Sequence, residues 1–149
     1  MCACLFLSSC DEKIDPELEA KLDREAIVNE APIAFDYEIK EPTGKLSEDL
    51  KAFSGHWVGR WRERFPSQLI VTEINTSKVT FIYSWGDNPS HEIEKGAVQE
   101  TISLDDQGRI VFQKNNALIT FTVNTILNKV IGVKVIDDEV TNIVMEKMR

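Results

Sequence analysis

The chain has 149 residues, of which 42% are hydrophobic and 28% are charged, and this length suits one globular domain. Its formal net charge of -8 argues against a protein that grips nucleic-acid phosphates. All three cysteines lie among the first ten residues, which excludes a cysteine-based metal site or a disulfide scaffold in the folded body. No stretch has the roughly 20 apolar residues of a membrane-spanning helix.

The first ten residues, MCACLFLSSC, are predicted to be a targeting segment rather than part of the folded domain. Their last four residues, LSSC, resemble a bacterial lipobox, in which small residues precede the cysteine that is lipidated. This resemblance implies that Cys10 carries the lipid anchor of a bacterial cell-envelope protein and that residues 1–9 are the remnant of a signal peptide. No Lys or Arg precedes Cys10, although signal peptides begin with basic residues. The alternative is therefore an apolar N-terminus of a cytosolic protein.

Residues 10–50 are predicted to form an acidic tether, mostly irregular and solvated. Residues 11–50 contain 13 acidic and 5 basic residues, whereas residues 51–149 contain 12 of each, so the tether carries the whole net charge. Good helix formers over 17–28, preceded by Pro16, predict one short helix. The alternation over 33–39 makes this segment a candidate extra strand. Residues 47–53 are predicted to form a short helical turn capped by Ser47.

From His56 onward the pattern predicts strands alone, and residues 51–149 are predicted to be the folded domain. Eight runs are separated by turn residues. They cover 57–64, 68–74, 78–85, 97–104, 109–114, 117–124, 129–136 and 142–148. An even number of antiparallel strands with short connections favours an all-β, eight-stranded up-and-down barrel, because closure leaves no exposed edge. A two-sheet sandwich is the alternative.

The alternation within each strand assigns side chains to the two faces of the sheet. In the first strand, Trp57 and Trp61 share the face that we expect to point inward. The opposite face carries a stripe of Arg60, Arg62 and Arg64. This stripe could receive the acidic tether or an anionic glycan or phosphate, or it could be an ordinary solvated face.

The motif Gly55-His56-Trp57 at the start of the first strand resembles the G-x-W signature of the calycin superfamily. The resemblance implies a lipocalin- or avidin-like barrel in which Trp57 closes one end. It also implies that a basic side chain of the last strand, Arg149 or Lys147, packs over the Trp57 ring. A longer pattern, G-x-W-x-G-x-W followed by Y-S-W-G at residues 83–86, looks like a small lipocalin-like bacterial domain.

The candidate ligand-binding residues lie on strands near one end of the expected barrel. They are Trp57, Trp61, Glu73, Tyr83 and Trp85. The pattern places Glu73 on the same side as its neighbours Leu69 and Val71, where a carboxylate needs a hydrogen-bonding partner. Glu73 could orient a ligand, accept a structural hydrogen bond, or be turned outward by a change of face.

No catalytic site is predicted, and no metal or cofactor. The only histidines are His56 and His91, and the spacing His91-x-x-Glu94 would need a third ligand to hold a metal ion. The chain has no glycine-rich phosphate loop and no nucleophile elbow. A third hypothesis, an enzyme that uses Glu73 and Tyr83 for proton transfer, has no support from spacing.

Two hypotheses for the function follow. The first is a membrane-anchored lipoprotein whose barrel binds a small apolar or aromatic-stacking ligand at its open end. The alternative is a structural or interaction module with a filled barrel and a protein or glycan contact on its outer face. Neither hypothesis expects a nucleic-acid partner.

Overall fold

A computed structural model describes residues 13–148. These residues contain two α-helices and eight β-strands. The helices are α1 (Pro16–Glu30) and α2 (Glu48–Phe53). The strands are β1 (Gly55–Trp61), β2 (Phe65–Ile74), β3 (Val79–Trp85), β4 (Gly96–Ile102), β5 (Ile110–Lys114), β6 (Ala117–Asn124), β7 (Lys129–Ile136) and β8 (Glu139–Lys147).

The eight strands form one antiparallel sheet with the order β4-β3-β2-β1-β8-β7-β6-β5. Because β1 pairs with both β2 and β8, the meander curls into a nearly closed up-and-down barrel. Over residues 13–148, no backbone ladder joins the two edge strands β4 and β5, and we call the boundary between them the seam. The predicted barrel class is confirmed. The first strand ends at Trp61 rather than at residue 64, because Arg62 and Glu63 have φ angles of 53° and 58° and form the turn into β2.

Side chains fill the barrel from within. The largest fully buried ones in the interior are Trp57, Trp61, Phe53, Phe81, Phe121, Leu69, Ile74, Ile110, Ile119 and Ile143, whereas Ile70 and Ile82 are buried on the other face of β2 and β3. Gly132 of β7 lies where the barrel is most crowded. A Cβ atom at this position would come within 2.5 Å of the Ile143 side chain and 2.7 Å of the Phe121 ring. A glycine there lets these two large side chains meet across β7.

Helix α2 covers one end of the barrel, which we call the closed end. Ser47 caps the helix by accepting a hydrogen bond from the Leu50 amide at 3.3 Å. Phe53 at the end of α2 is fully buried, and its carbonyl accepts a hydrogen bond from Trp57 Nε1 at 2.9 Å. The loops at this end also contact α2, since Thr125 in the β6–β7 turn donates to Asp49.

Helix α1 lies along the outside of β1 and β2. Ile27 and Ala31 are buried against the barrel, at 2% and 0% exposure. The Ala31 carbonyl accepts hydrogen bonds from Gln68 Nε2 at 2.6 Å and from Ser84 Oγ at 2.8 Å. Neither described helix is long and apolar enough to cross a lipid bilayer. The predicted helix is present, with most of its side chains exposed, and it docks on the barrel through Ile27 and the Ala31 that follows it.

The segment after α1 is also held by the barrel. The Lys40 amide donates to the Thr72 carbonyl at 2.8 Å, and the Thr43 amide donates to the Ile74 carbonyl at 3.2 Å. The candidate strand at 33–39 does not form. Most side chains of residues 13–50 are exposed, as predicted for the tether, but two backbone hydrogen bonds hold its segment over 40–43 against β2.

Candidate functional site

The end of the barrel opposite α2 is lined by aromatic side chains, and we call it the mouth. Trp61, Phe65, Tyr83 and Trp85 surround it. Trp61 Nε1 donates a hydrogen bond to the Tyr83 hydroxyl at 3.2 Å, and the rings of Tyr83 and Trp85 stack with centroids 5.6 Å apart. Burial raises the pKa of Tyr83, so its hydroxyl stays neutral near pH 7. The mouth is thus lined by a preformed aromatic cluster, in which Trp61 and Tyr83 are buried and Phe65 and Trp85 are partly exposed.

The cavity at the mouth is small. Its volume is about 30 Å³, and a neighbouring cavity behind Phe65 measures about 20 Å³. A space of the first size holds roughly two water molecules, whereas pockets for drug-sized ligands measure about 300–1,000 Å³. Below it the core is filled by Tyr83, Phe112 and Phe121, whose ring centroids are 5.2–6.1 Å apart. Only a small chemical group can enter without displacing side chains.

Two lysines reach into the mouth over aromatic rings. Lys134 Nζ lies 4.6 Å from the centroid of the Trp61 ring, and Lys114 Nζ lies 5.5 Å from that of Trp85. Lys134 points inward because it shares a face of β7 with Gly132. Burial, together with the nearby charge of Arg62, lowers the pKa of Lys134 to about 8.

The rim of the mouth is closed by polar contacts between loops. Arg62 in the β1–β2 turn forms an ion pair with Glu139 at the start of β8, and His91 Nε2 lies 4.0 Å from the same carboxylate. Trp85 Nε1 donates to the Glu94 carbonyl at 2.7 Å, which holds the Trp85 ring in place. The β3–β4 loop is therefore tied to both the rim and the aromatic wall.

Trp57 does not belong to the mouth. It lies four residues before Trp61, which is roughly 13 Å along a strand, and it packs at the closed end beneath α2. Its predicted partner is present, since Lys147 Nζ lies 5.3 Å from the centroid of the Trp57 ring. Arg149, the other candidate for this contact, lies outside the described residues. Trp57 closes the barrel, and its predicted position at the mouth is therefore wrong.

Glu73 does not face the interior either. The pairing of β2 with β3 shifts register between Val71 and Glu73, which is a bulge. The bulge turns Ile74 into the core and Glu73 outward, where its side chain is 46% exposed and lies 3.6 Å from Lys40 Nζ. The predicted position of Glu73 beside Tyr83 at the mouth is therefore wrong. This outward position is the third of the predicted alternatives, a change of face.

The three arginines of the predicted stripe do not share one strand face, because β1 ends at Trp61, and each of them contacts another side chain of the protein. Arg60 binds Asp23 at 2.9 Å and Glu30 at 3.0 Å, both on α1. The stripe therefore receives the acidic segment at this position. Arg62 pairs with Glu139 as described above, and the Arg64 guanidinium lies 5.2 Å from the centroid of the Phe65 ring.

Both histidines form hydrogen bonds with other side chains of the fold. His56 is hydrogen-bonded to Gln68, and burial lowers its pKa. His91 contacts Ser90 at 3.1 Å within its own loop. In the described part of the chain, no group of three or more His, Cys, Asp or Glu side chains is placed to hold a metal ion. Cys10, the predicted lipidation site, lies outside the described residues.

Sequence reasoning missed Lys114 and Lys134 as residues of the mouth. The signal for Lys134 is weak, because both faces of β7 carry apolar residues and Ile131, Val133 and Val135 form the more uniform apolar row. Only pairing shows that this row faces outward. Gly132 lies opposite Phe121 and Ile143, which are both buried.

The fold and the mouth define a class of small up-and-down β-barrels with a filled interior and an aromatic, basic opening. Comparison with known proteins finds no matching family model, no similar curated protein and no similar solved structure.

Proposed function

We propose that this chain is a lipid-anchored, non-enzymatic binding protein of the bacterial cell envelope. In this proposal, its calycin-like barrel binds a small apolar or aromatic ligand at the mouth. The observation that carries the proposal is the group of four aromatic side chains around a small cavity at one end of a filled barrel. Aromatic surfaces of this kind favour flat or apolar partners, and each stacked pair contributes about 0.5–1.5 kcal/mol beyond the buried area.

The size of the cavity decides how the ligand would bind. A group of roughly two water volumes fits inside, so most of the ligand rests on the outer part of the mouth, against Trp85 and Phe65. A ligand held in this way is partly exposed to solvent, and its affinity is modest. A long lipid chain buried along the barrel axis does not fit beside Phe112 and Phe121.

A screen of small aromatic compounds, neutral and charged, tests the binding proposal by NMR. We expect shifts in the amide signals of residues near Trp85 and Tyr83, and we expect Trp85→Ala to abolish them. Tyr37→Ala is the matched control, because Tyr37 is 42% exposed and its ring packs on His56, away from the mouth. Binding that survives Trp85→Ala, or the absence of any binding compound, would contradict the proposal.

Acyl labelling of the full-length chain tests the anchor. We expect a labelled fatty acid to be incorporated in a bacterial host and to be lost in Cys10→Ala. Cys4→Ala is the matched control and should keep the label, because only the cysteine of the LSSC motif is expected to be acylated. Labelling that persists in Cys10→Ala would refute the anchor but not the mouth.

The second candidate function is a protein contact on the outer face of β6, β7 and β8. The observation in its favour is a row of exposed apolar side chains, in which Leu118, Val140 and Val144 are 42%, 58% and 52% exposed. Pairing across β7 brings Leu118 and Val140 to either side of Val135. Val140→Lys combined with Val144→Lys should abolish copurification of a partner, whereas Trp85→Ala should not.

A further inference from the structure

We propose that the ligands of the mouth are small carboxylates with an apolar or aromatic body, and that Lys134 and Lys114 receive the carboxylate. This inference rests on the proposed function, since it names the ligand class of the same mouth. It begins from two positive charges that line one cavity together with the aromatic side chains.

Within the described residues, neither ammonium group forms an ion pair with a carboxylate. Across residues 13–148, no carboxylate lies within 4.0 Å of Lys134 or Lys114. Glu139 on the rim is an acidic residue near the mouth, but its carboxylate is bound to Arg62. The mouth therefore carries positive charge that the described chain leaves uncompensated.

The placement of Lys134 is costly without a ligand. A lysine that points into a barrel loses much of its hydration, and this loss disfavours the charged form. The Trp61 ring at 4.6 Å offsets part of that loss by a cation–π contact. Arg62 adds repulsion, which lowers the pKa of Lys134 further. A bound carboxylate would supply the attraction that the ring alone does not.

The shape of the mouth fits such a ligand. The cavity of about 30 Å³ accepts a group of carboxylate size beside Lys134. Its walls continue outward as Phe65, Trp85, Ile93 and Ile136, which form an apolar surface for the rest of the molecule. A ligand with a charged head and an apolar body matches a lining that combines two ammonium groups with these apolar side chains.

Calorimetry with a matched pair of probes tests the charge requirement. Indole-3-acetate and indole-3-acetamide have the same shape and differ in the negative charge. We expect the acetate to bind about tenfold more tightly at pH 7, because a hydrogen bond to a charged group contributes more than one between neutral groups.

Substitutions of the two lysines assign the role. Lys134→Met and Lys114→Met should each weaken acetate binding by roughly five- to tenfold and leave acetamide binding unchanged. Lys129→Met is the control, since Lys129 pairs with Glu146 on the outer face, at 3.3 Å. Lys134→Arg keeps the charge and should keep the preference for acetate, which provides a second test if Lys134→Met folds poorly.

The pH dependence gives an independent readout. Acetate binding should weaken as the pH rises above about 8, the pKa of Lys134 in the free protein, while acetamide binding should stay constant. The other charged or titratable groups around Lys134 are Arg62, Lys114, Tyr83, His91 and Glu139. The same fall in the Lys134→Met variant would assign the effect to another of these groups and overturn the role of Lys134.

The outcomes separate the two proposals. Equal affinities for acetate and acetamide would overturn the carboxylate inference and leave the mouth as an aromatic binding site. Binding of neither probe would overturn the carboxylate inference, and binding of no compound in the wider aromatic screen would overturn the proposed function as well.

Discussion

At the scale of single residues, Lys134 shows how a side chain can be functional at a cost to stability. Its pKa is about 8 in the folded protein and its ordinary value is 10.5. Between these two values the unfolded chain holds a proton that the folded chain has released, so unfolding takes up a proton and the free energy of unfolding rises with pH. Below about pH 8 both states are protonated, and the full penalty of burying the charge is present.

Lys134→Met should therefore be more stable than the natural protein at pH 7, because methionine keeps an unbranched side chain of similar length and removes the buried charge. The difference between the two proteins should shrink as the pH is raised from about 8 towards 10.5. Urea unfolding at a series of pH values measures this difference, and the variant curve supplies the contribution of all other groups. Parallel curves over this range would contradict the expectation.

The contact of Lys147 with Trp57 could be predicted from the sequence, whereas the contact of Lys134 with Trp61 could not. The G-x-W resemblance implies a basic partner for Trp57, and Lys147 provides it. Nothing comparable marks Lys134, since its neighbours on the inward face of β7 include a glycine. The rule of alternation finds the two faces of a strand, but it does not decide which face is inside when both are apolar.

At the scale of secondary-structure elements, the strands were predictable because turn residues separate them clearly. Asn115 and Asn116, for example, have φ angles of 51° and 61° and form the tight turn between β5 and β6. The bulge in β2 was not predictable, because Thr72 and Glu73 have no distinctive local pattern. A shift of one residue was enough to move Glu73 from the inside to the outside.

The docking of α1 was not predictable either. The helix presents only Ile27 as a fully buried apolar side chain, and Leu18 and Leu22 are 48% and 52% exposed. Its attachment depends on polar groups that are far apart in sequence, such as Ser84 and the Ala31 carbonyl. Periodicity in a helix does not reveal such contacts.

Ile27→Ala should release α1 from the barrel. Removing a buried isoleucine side chain costs about 2–5 kcal/mol, and we expect the lower part of this range for a helix on the outside of a sheet. Leu22→Ala is the matched control on the same helix and should change stability by less than about 0.5 kcal/mol. Limited proteolysis should cut residues 16–31 faster in Ile27→Ala only, and equal cleavage of both variants would argue against a docked helix.

At the scale of the whole molecule, the barrel is closed by hydrogen bonds everywhere except at the seam between β4 and β5. Ring contacts inside the barrel link β5 to β3, since the ring of Phe112 on β5 lies 4.9 Å from Phe81 and 5.2 Å from Tyr83 on β3. These contacts pair no backbone groups, so β4 and β5 each keep one edge without a sheet partner.

Hydrogen exchange should therefore begin at the seam. Amide groups of residues 96–102 and 110–114 should exchange before those of residues 55–61 and 139–147, because edge strands open at a lower free energy than paired central strands. Mass spectrometry of peptides from a time course measures this order. Equal protection of all four segments would indicate that β4 and β5 pair in solution.

Helix α1 runs along the barrel from the closed end towards the mouth. The start of the helix shares a groove with Leu127 and Lys147 at the closed end, and its last residue, Glu30, lies beside Gly86 near the mouth. Five peptide units from Cys10 to Asp15 span at most roughly 18 Å. In the anchored protein that we propose, the bilayer would lie on the side of the closed end, and the mouth would sample the aqueous phase rather than the lipid.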